Sequence, residues 1–177
     1  MRKIMFVCVA VVAAVIIGCS ASKNFTFSID KVFVVNNYSS TSYTSSDTIN
    51  ATQESSDFNT YKSDLQSVSI QSATYTITSF TGPLTQTITS ATVTVKALDG
   101  SSSKVLATLS NVNLSSVAAI TQPLTLTDDG KQFFENQLTG STSSVVITFT
   151  ATANQAPVNF TVKFHFDILT NYSKSLI

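Results

Sequence analysis

Cysteine, tryptophan, arginine and charge are all scarce in this sequence. Of its 177 residues only Cys8 and Cys19 are cysteine, none is tryptophan, and the single arginine is Arg2. Beyond residue 19 there is no thiol, which excludes thiol catalysis, thiolate metal sites and disulfides from that part of the chain. It also lacks the guanidinium fork that reads phosphate and carboxylate in two-pronged fashion. Charged residues are 11% of the chain, with 10 basic against 10 acidic, so no net field draws it to nucleic acid or acidic lipid. What is abundant is hydroxyl. Serine (27) and threonine (26) are 30% of the residues, and they favour strands and turns over long helices.

The first nineteen residues have their own organisation. Met1-Arg2-Lys3 is a short cationic start, Ile4 to Ile17 carries no charge, and Gly18-Cys19 follows. This order is that of a secretory signal, and fourteen apolar residues are too few to span about 30 Å of hydrocarbon with ease. A buried helix or a short membrane anchor is the competing reading. Against it, no cationic cluster follows, and the chain turns at once to Ser20, Ala21 and Ser22.

Ile16-Ile17-Gly18-Cys19 resembles the lipobox of bacterial lipoproteins: an aliphatic residue, a small residue, then cysteine. The resemblance covers about the first twenty residues. It implies cleavage between Gly18 and Cys19, a diacylglyceryl group on the Cys19 thiol, and acylation of the new amino group by chains of the palmitate class. Two or three chains at ~0.8 kcal/mol per buried CH₂ anchor a protein stably where one does not. Ser20, rather than an acidic residue, follows the cysteine. In this family that implies the outer membrane, with the periplasmic leaflet slightly favoured over the cell surface. The expected organisation is a signal-peptide helix over 1–18, a lipidated tether over 19–24 and one domain over 25–177.

The remainder reads as strands. Phe25, Phe27 and Ile29 alternate with Thr26, Ser28 and Asp30, a period of two that buries one face. Residues 36–57 are dominated by Ser, Thr, Asn and Asp, which points to an exposed loop or ragged hairpin with a strand near 47–52. Phe58, Tyr61 and Leu65 predict a short helix near 57–66. Val68 and Ile70 alternate, and the phase then slips by one to Ala73, Tyr75 and Ile77, as a β-bulge would make it do. Gly82-Pro83 breaks the run. Ala91 to Ala97 and Val105 to Leu109 flank Asp99-Gly100, which predicts a hairpin whose inward positions include Val105. Residues 110–126 are mixed. Thr127-Asp128-Asp129 reads as a helix start and Gly140 as its stop. Val145 to Ala151 and Val158 to Ile168 alternate most strictly of all. About seven half-buried strands with short turns predict an all-β antiparallel sandwich, Ig-like or a similar Greek key, with one or two short helices.

Few residues offer chemistry. His165, the only histidine, falls on the polar face of the last strand, and no Gly-x-Ser-x-Gly elbow accompanies it. A solvent-facing strand residue is the expectation. Asp128, Asp129 and Glu135 are calcium-type ligands without a calcium-loop order, and helix capping accounts for the pair. Asp47, Glu54, Asp57 and Asp64 read as a solvated surface. Tyr38, Tyr43 and Tyr172 are the aromatics in polar settings that could stack on a sugar, though partly buried tyrosines are the plainer reading. Asp47-Thr48-Ile49 resembles a bacterial O-glycosylation site, and six Asn-x-Ser/Thr triplets, beginning at Asn24, Asn37 and Asn50, follow from composition.

The chain is therefore expected to be a non-enzymatic envelope lipoprotein, a binding or structural module with no cofactor, no metal and no nucleic-acid partner. Its membrane contact would be the lipid, and its protein or glycan partner is open. The alternatives are a subunit of a pilus-like or secretion assembly, or a carbohydrate-binding module.

Overall fold

Alternation of apolar and hydroxyl residues recurs along nearly every segment, and each such run pairs with another until its apolar face is covered. The computed structural model describes residues 20–37 and 39–175. The signal helix and the Gly18-Cys19 junction lie outside them. The elements are β1 (Ser20–Asn37), β2 (Ser42–Asn50), α1 (Ala51–Glu54), α2 (Ser56–Tyr61), β3 (Leu65–Phe80) and β4 (Thr87–Ala97). There follow β5 (Ser103–Asn113), α3 (Leu114–Val117), β6 (Thr121–Pro123), α4 (Asp128–Thr139), β7 (Ser144–Ala153) and β8 (Val158–Ser175).

The strands form two four-stranded antiparallel sheets, ordered β1-β8-β3-β6 and β2-β7-β4-β5. The first strand pairs with the eighth, the second with the seventh, the third with the sixth and the fourth with the fifth. The chain is thus a long nested hairpin rolled into a sandwich. That order is the eight-stranded jelly roll, a Greek-key arrangement distinct from the seven-stranded immunoglobulin one.

Phe33, Phe149 and Phe164 meet between the sheets, with ring centroids 5.4 to 5.9 Å apart. All three are buried, as are Val93, Ile147 and Phe166. At one side α4 seals the gap, turning the fully buried Phe134 and Leu138 inward; the Phe134 ring lies 5.6 Å from that of Phe166. Asp128 and Asp129 lie in the first turn of α4, and the Thr127 side chain caps it by accepting from the Gly130 N–H at 3.1 Å. Asn50 and Ser55 cap α1 and α2 in the same way.

Three sequence expectations are corrected. Residues 20–24, read as a tether, are the start of β1 and pair with residues 171–175. The sequence there has no apolar alternation, and the strand's partner is distant in sequence. Residues 36–57, read as a loop or ragged hairpin with a strand near 47–52, are more regular: β1 runs to Asn37, β2 occupies Ser42–Asn50 and pairs with β7 rather than in a local hairpin, and α1 follows directly. As an edge strand, β2 needs only Tyr43, Ser45 and Ile49 to turn inward, and its other face is hydroxyl, so composition resembled a loop. Val105 is exposed rather than inward, because a bulge opposite Val93 and Thr94 lets both Leu106 and Ala107 face the core. The phase slip in β3 is, as expected, a register shift between Ile70 and Ser72.

Candidate functional site

A cluster of interacting polar side chains lies on the outer face of the β1-β8-β3 sheet. Antiparallel register sets Asp30 of β1 beside His165 of β8, and Ser28 and Ser72 on either side of Asp167. His165 Nδ1 lies 2.6 Å from Asp30 Oδ1, and its Nε2 lies 3.1 Å from Asp167 Oδ1. The Ser28 and Ser72 hydroxyls donate to the two oxygens of Asp167 at 2.8 and 2.5 Å. Lys163 Nζ sits 3.5 Å from Asp30 Oδ2.

These contacts hold both carboxyls below the usual carboxylate range. For Asp30, partial burial acts upward and is outweighed by the hydrogen bond with His165 and the charges of Lys163 and His165. For Asp167 the Ser72 and Ser28 hydroxyls act first, with His165 adding to them.

As chemistry, the cluster is a lattice and not a nucleophile relay. A serine nucleophile needs its hydroxyl aimed at an imidazole nitrogen, with a carboxylate on the ring's other side. Here Ser28 and Ser72 both donate to Asp167, and each nitrogen of His165 faces a carboxylate. The network ties three strands together across their polar face.

A second site was not foreseen. Lys31 of β1 points inward and is 9% exposed. Its Nζ lies 3.3 Å from Asp47 Oδ2 and 3.1 Å from Glu54 Oε1, and it donates to the Thr48 carbonyl at 3.0 Å. It closes the gap where the edge strands of the two sheets approach. A lysine at an inward position of an alternating strand is a visible signal, but its partners follow only from the packing of one sheet on the other.

The remaining sequence candidates are scattered. Glu135 accepts from the Ile70 N–H at 2.8 Å, beside the bulge in β3, while Asp129 pairs with Lys104 at 3.5 Å on the surface. No group of three or more His, Cys, Asp or Glu residues with metal-site geometry occurs among the described residues. Asp57 and Asp64 lie in α2 and the following 3₁₀ turn, apart from these clusters. Tyr172 is buried and stacks on Tyr61 with centroids 4.4 Å apart, and Tyr43 leans on Phe149 at 6.2 Å. Neither is an open platform. Tyr38 lies outside the described residues. Thr48 is exposed on β2, whereas its neighbour Ile49 is buried. Between the β4–β5 turn and the end of α4 lies a shallow cleft lined by residues including Leu98, Asp99, Ser102, Asn136 and Ser141.

No helix among the described residues is long and apolar enough to cross a membrane. No family model matches this chain, and no curated protein matches it. Among solved structures it is similar to a chain described as desmodium yellow mottle tymovirus, with a TM-score of 0.32 and 12% identity over 100% of this chain and 94% of that one. A likeness at that score and identity carries no inference about what this chain does.

Proposed function

We propose that this chain is a lipid-anchored, non-enzymatic β-sandwich of the bacterial cell envelope, acting as a binding or structural module at the outer membrane. The observation that carries the reading is the fourteen-residue uncharged run Ile4–Ile17 followed by Gly18-Cys19, after Met1-Arg2-Lys3. On this reading the acyl chains attach to Cys19, one residue before β1 begins. No flexible tether then intervenes, and the sandwich rides close to the bilayer on the periplasmic leaflet.

Cys19→Ala tests the anchor. In the expected result, the wild type yields an N-terminal peptide beginning at Cys19 and carrying diacylglyceryl and acyl mass, while the variant keeps Met1 and carries no lipid mass. A wild-type N-terminus that still bears Met1, or an unmodified Cys19, refutes it.

A second reading, a subunit that assembles by strand addition, is favoured by one feature. β1 is an 18-residue edge strand with Val32 53% and Val34 62% exposed, and open edges recruit other strands. Lys31, turned inward on the same strand, is a device that natural edges use against such pairing. Sedimentation of the purified chain over a hundredfold concentration range decides between them: a constant monomer mass removes the assembly reading.

A further inference from the structure

At one end of the molecule two strands run past the rest of their sheet. β3 begins at Leu65, opposite Tyr172, and beyond that pair β1 and β8 continue together, with Ser20, Ala21 and Ser22 facing Ser175, Lys174 and Ser173. Three residues at ~3.3 Å each make a ribbon about 10 Å long. At its base Tyr61 stacks on Tyr172, and the Phe25 ring lies 5.9 Å from that of Tyr172. The ribbon holds no carboxylate. Asp30 is the first acidic residue of β1 and Asp167 the last of β8, whereas Lys23 and Lys174 belong to this end. Asp57 and Asp64 are part of α2 and the 3₁₀ turn, not of the ribbon.

We infer that this ribbon crosses the lipid headgroup layer and seats the sandwich end-on against a bilayer. The inference rests on the anchor reading above and adds to it which surface meets the lipid. Its first support is length. Acyl chains on Cys19 hold that residue at the hydrocarbon boundary, one residue before the ribbon starts, and the headgroup layer is about 5–8 Å deep on each side. A ribbon of this length spans the layer and brings Lys23, Tyr61 and Tyr172 to its outer edge, where tyrosine and lysine are at home. The second support is charge. Both strand ends carry lysine and no carboxylate, which suits phosphate-bearing headgroups, and the Ser22 and Ser173 hydroxyls can donate to phosphate oxygens. The opposite end of the sandwich then faces away from the membrane. There the Thr81 N–H bonds to the Asn159 carbonyl, beside Asn36, and the loop that follows displays Leu84 at 77% exposure. That end stands roughly 55 Å from Cys19, the length of β1 at ~3.3 Å per residue.

The chain has no tryptophan, so single substitutions give clean fluorescent probes. The test places the acylated product in phosphatidylcholine vesicles with and without a nitroxide on the lipid headgroup. Ser22→Trp and Ser173→Trp, on the ribbon, should each lose at least half of their emission to the nitroxide, and Leu84→Trp less than a tenth. The two ribbon probes lie on different strands, so if one fails to fold the other decides. Equal quenching at both ends, or quenching at neither in a protein that floats with the vesicles, overturns the inference. The mass of the N-terminal peptide separates this from the anchor reading. An unacylated Cys19 refutes both, whereas an acylated protein quenched at Leu84→Trp as strongly as on the ribbon refutes the end-on seating alone.

Discussion

Replacing Gly130 by alanine sets two effects against each other, and the structure says which wins. Gly130 is in the first turn of α4, where alanine is intrinsically favoured by about 1 kcal/mol. A Cβ built there would lie 2.2 Å from the Val105 carbonyl oxygen and 2.6 Å from Leu106 Cα. Ordinary contacts are about 3.5 Å, so roughly 1 Å must be relieved. Both opposing atoms are backbone, at the bulge of β5, so no side chain can swing aside. α4 must lift, which strains the Thr127 N–H bond to the Leu106 carbonyl (2.8 Å) and loosens the seal made by Phe134 and Leu138. Overpacking costs about 1–3 kcal/mol and a weakened hydrogen bond about 1 kcal/mol. Less the propensity gain, the net loss is about 2 kcal/mol, a fall in Tm of about 4–8 °C for a domain this size. Gly140→Ala is the control: its Cβ would meet only the Gln137 and Asn136 carbonyls at 3.3 and 3.4 Å, and its φ is −66°. Thermal and urea unfolding of the two variants measure the difference. A Gly130→Ala protein as stable as wild type, or a Gly140→Ala protein equally damaged, refutes the reasoning.

Other outcomes follow from the same packing. Phe149→Ala removes a fully buried ring that touches Phe33, Tyr43 and Phe164, and should cost about 3–5 kcal/mol in urea unfolding. Lys31→Ala leaves Asp47, Glu54 and the Thr48 carbonyl facing one another, and should cost about 2 kcal/mol, less than a fully buried pair because both carboxylates reach water. Lys31→Met keeps the stem and should lose about half as much; equal losses would show that the stem's packing is irrelevant there, and an undamaged Lys31→Met that the charge pairing is. Asp30 and Asp167 are held low in the fold, so their contribution is present above the unfolded carboxylate value of about 3.9 and is lost as pH falls through it towards the lower folded values. Asp167→Asn should flatten the decline in Tm below about pH 4. Parallel acid limbs for variant and wild type would contradict this.

The sequence alone determined what period two can carry. Val158 to Ile168 had to be a strand, Asp99-Gly100 had to turn, and the phase slip before Ala73 had to be absorbed by a bulge, because each follows from local geometry. Gly100, at φ +73°, sits where a side chain would strain the backbone. The α4 boundaries were legible for the same reason, in Thr127 and Gly140. Only the tertiary structure decided which strands are neighbours. In a nested roll the first strand meets the last, so Asp30 lies beside a histidine 135 residues away, and Lys31 finds its carboxylates on β2 of the opposite sheet and on α1. Edge strands escaped for a related reason: β2 and residues 22–24 bury too little apolar surface to show a period, and they are strands because a neighbour supplies the hydrogen bonds. The row Thr44, Thr150, Thr92 and Thr108 likewise lay unread in the abundance of Ser and Thr. Composition set how many hydroxyls there are, but only the pairing of four strands placed these in one row.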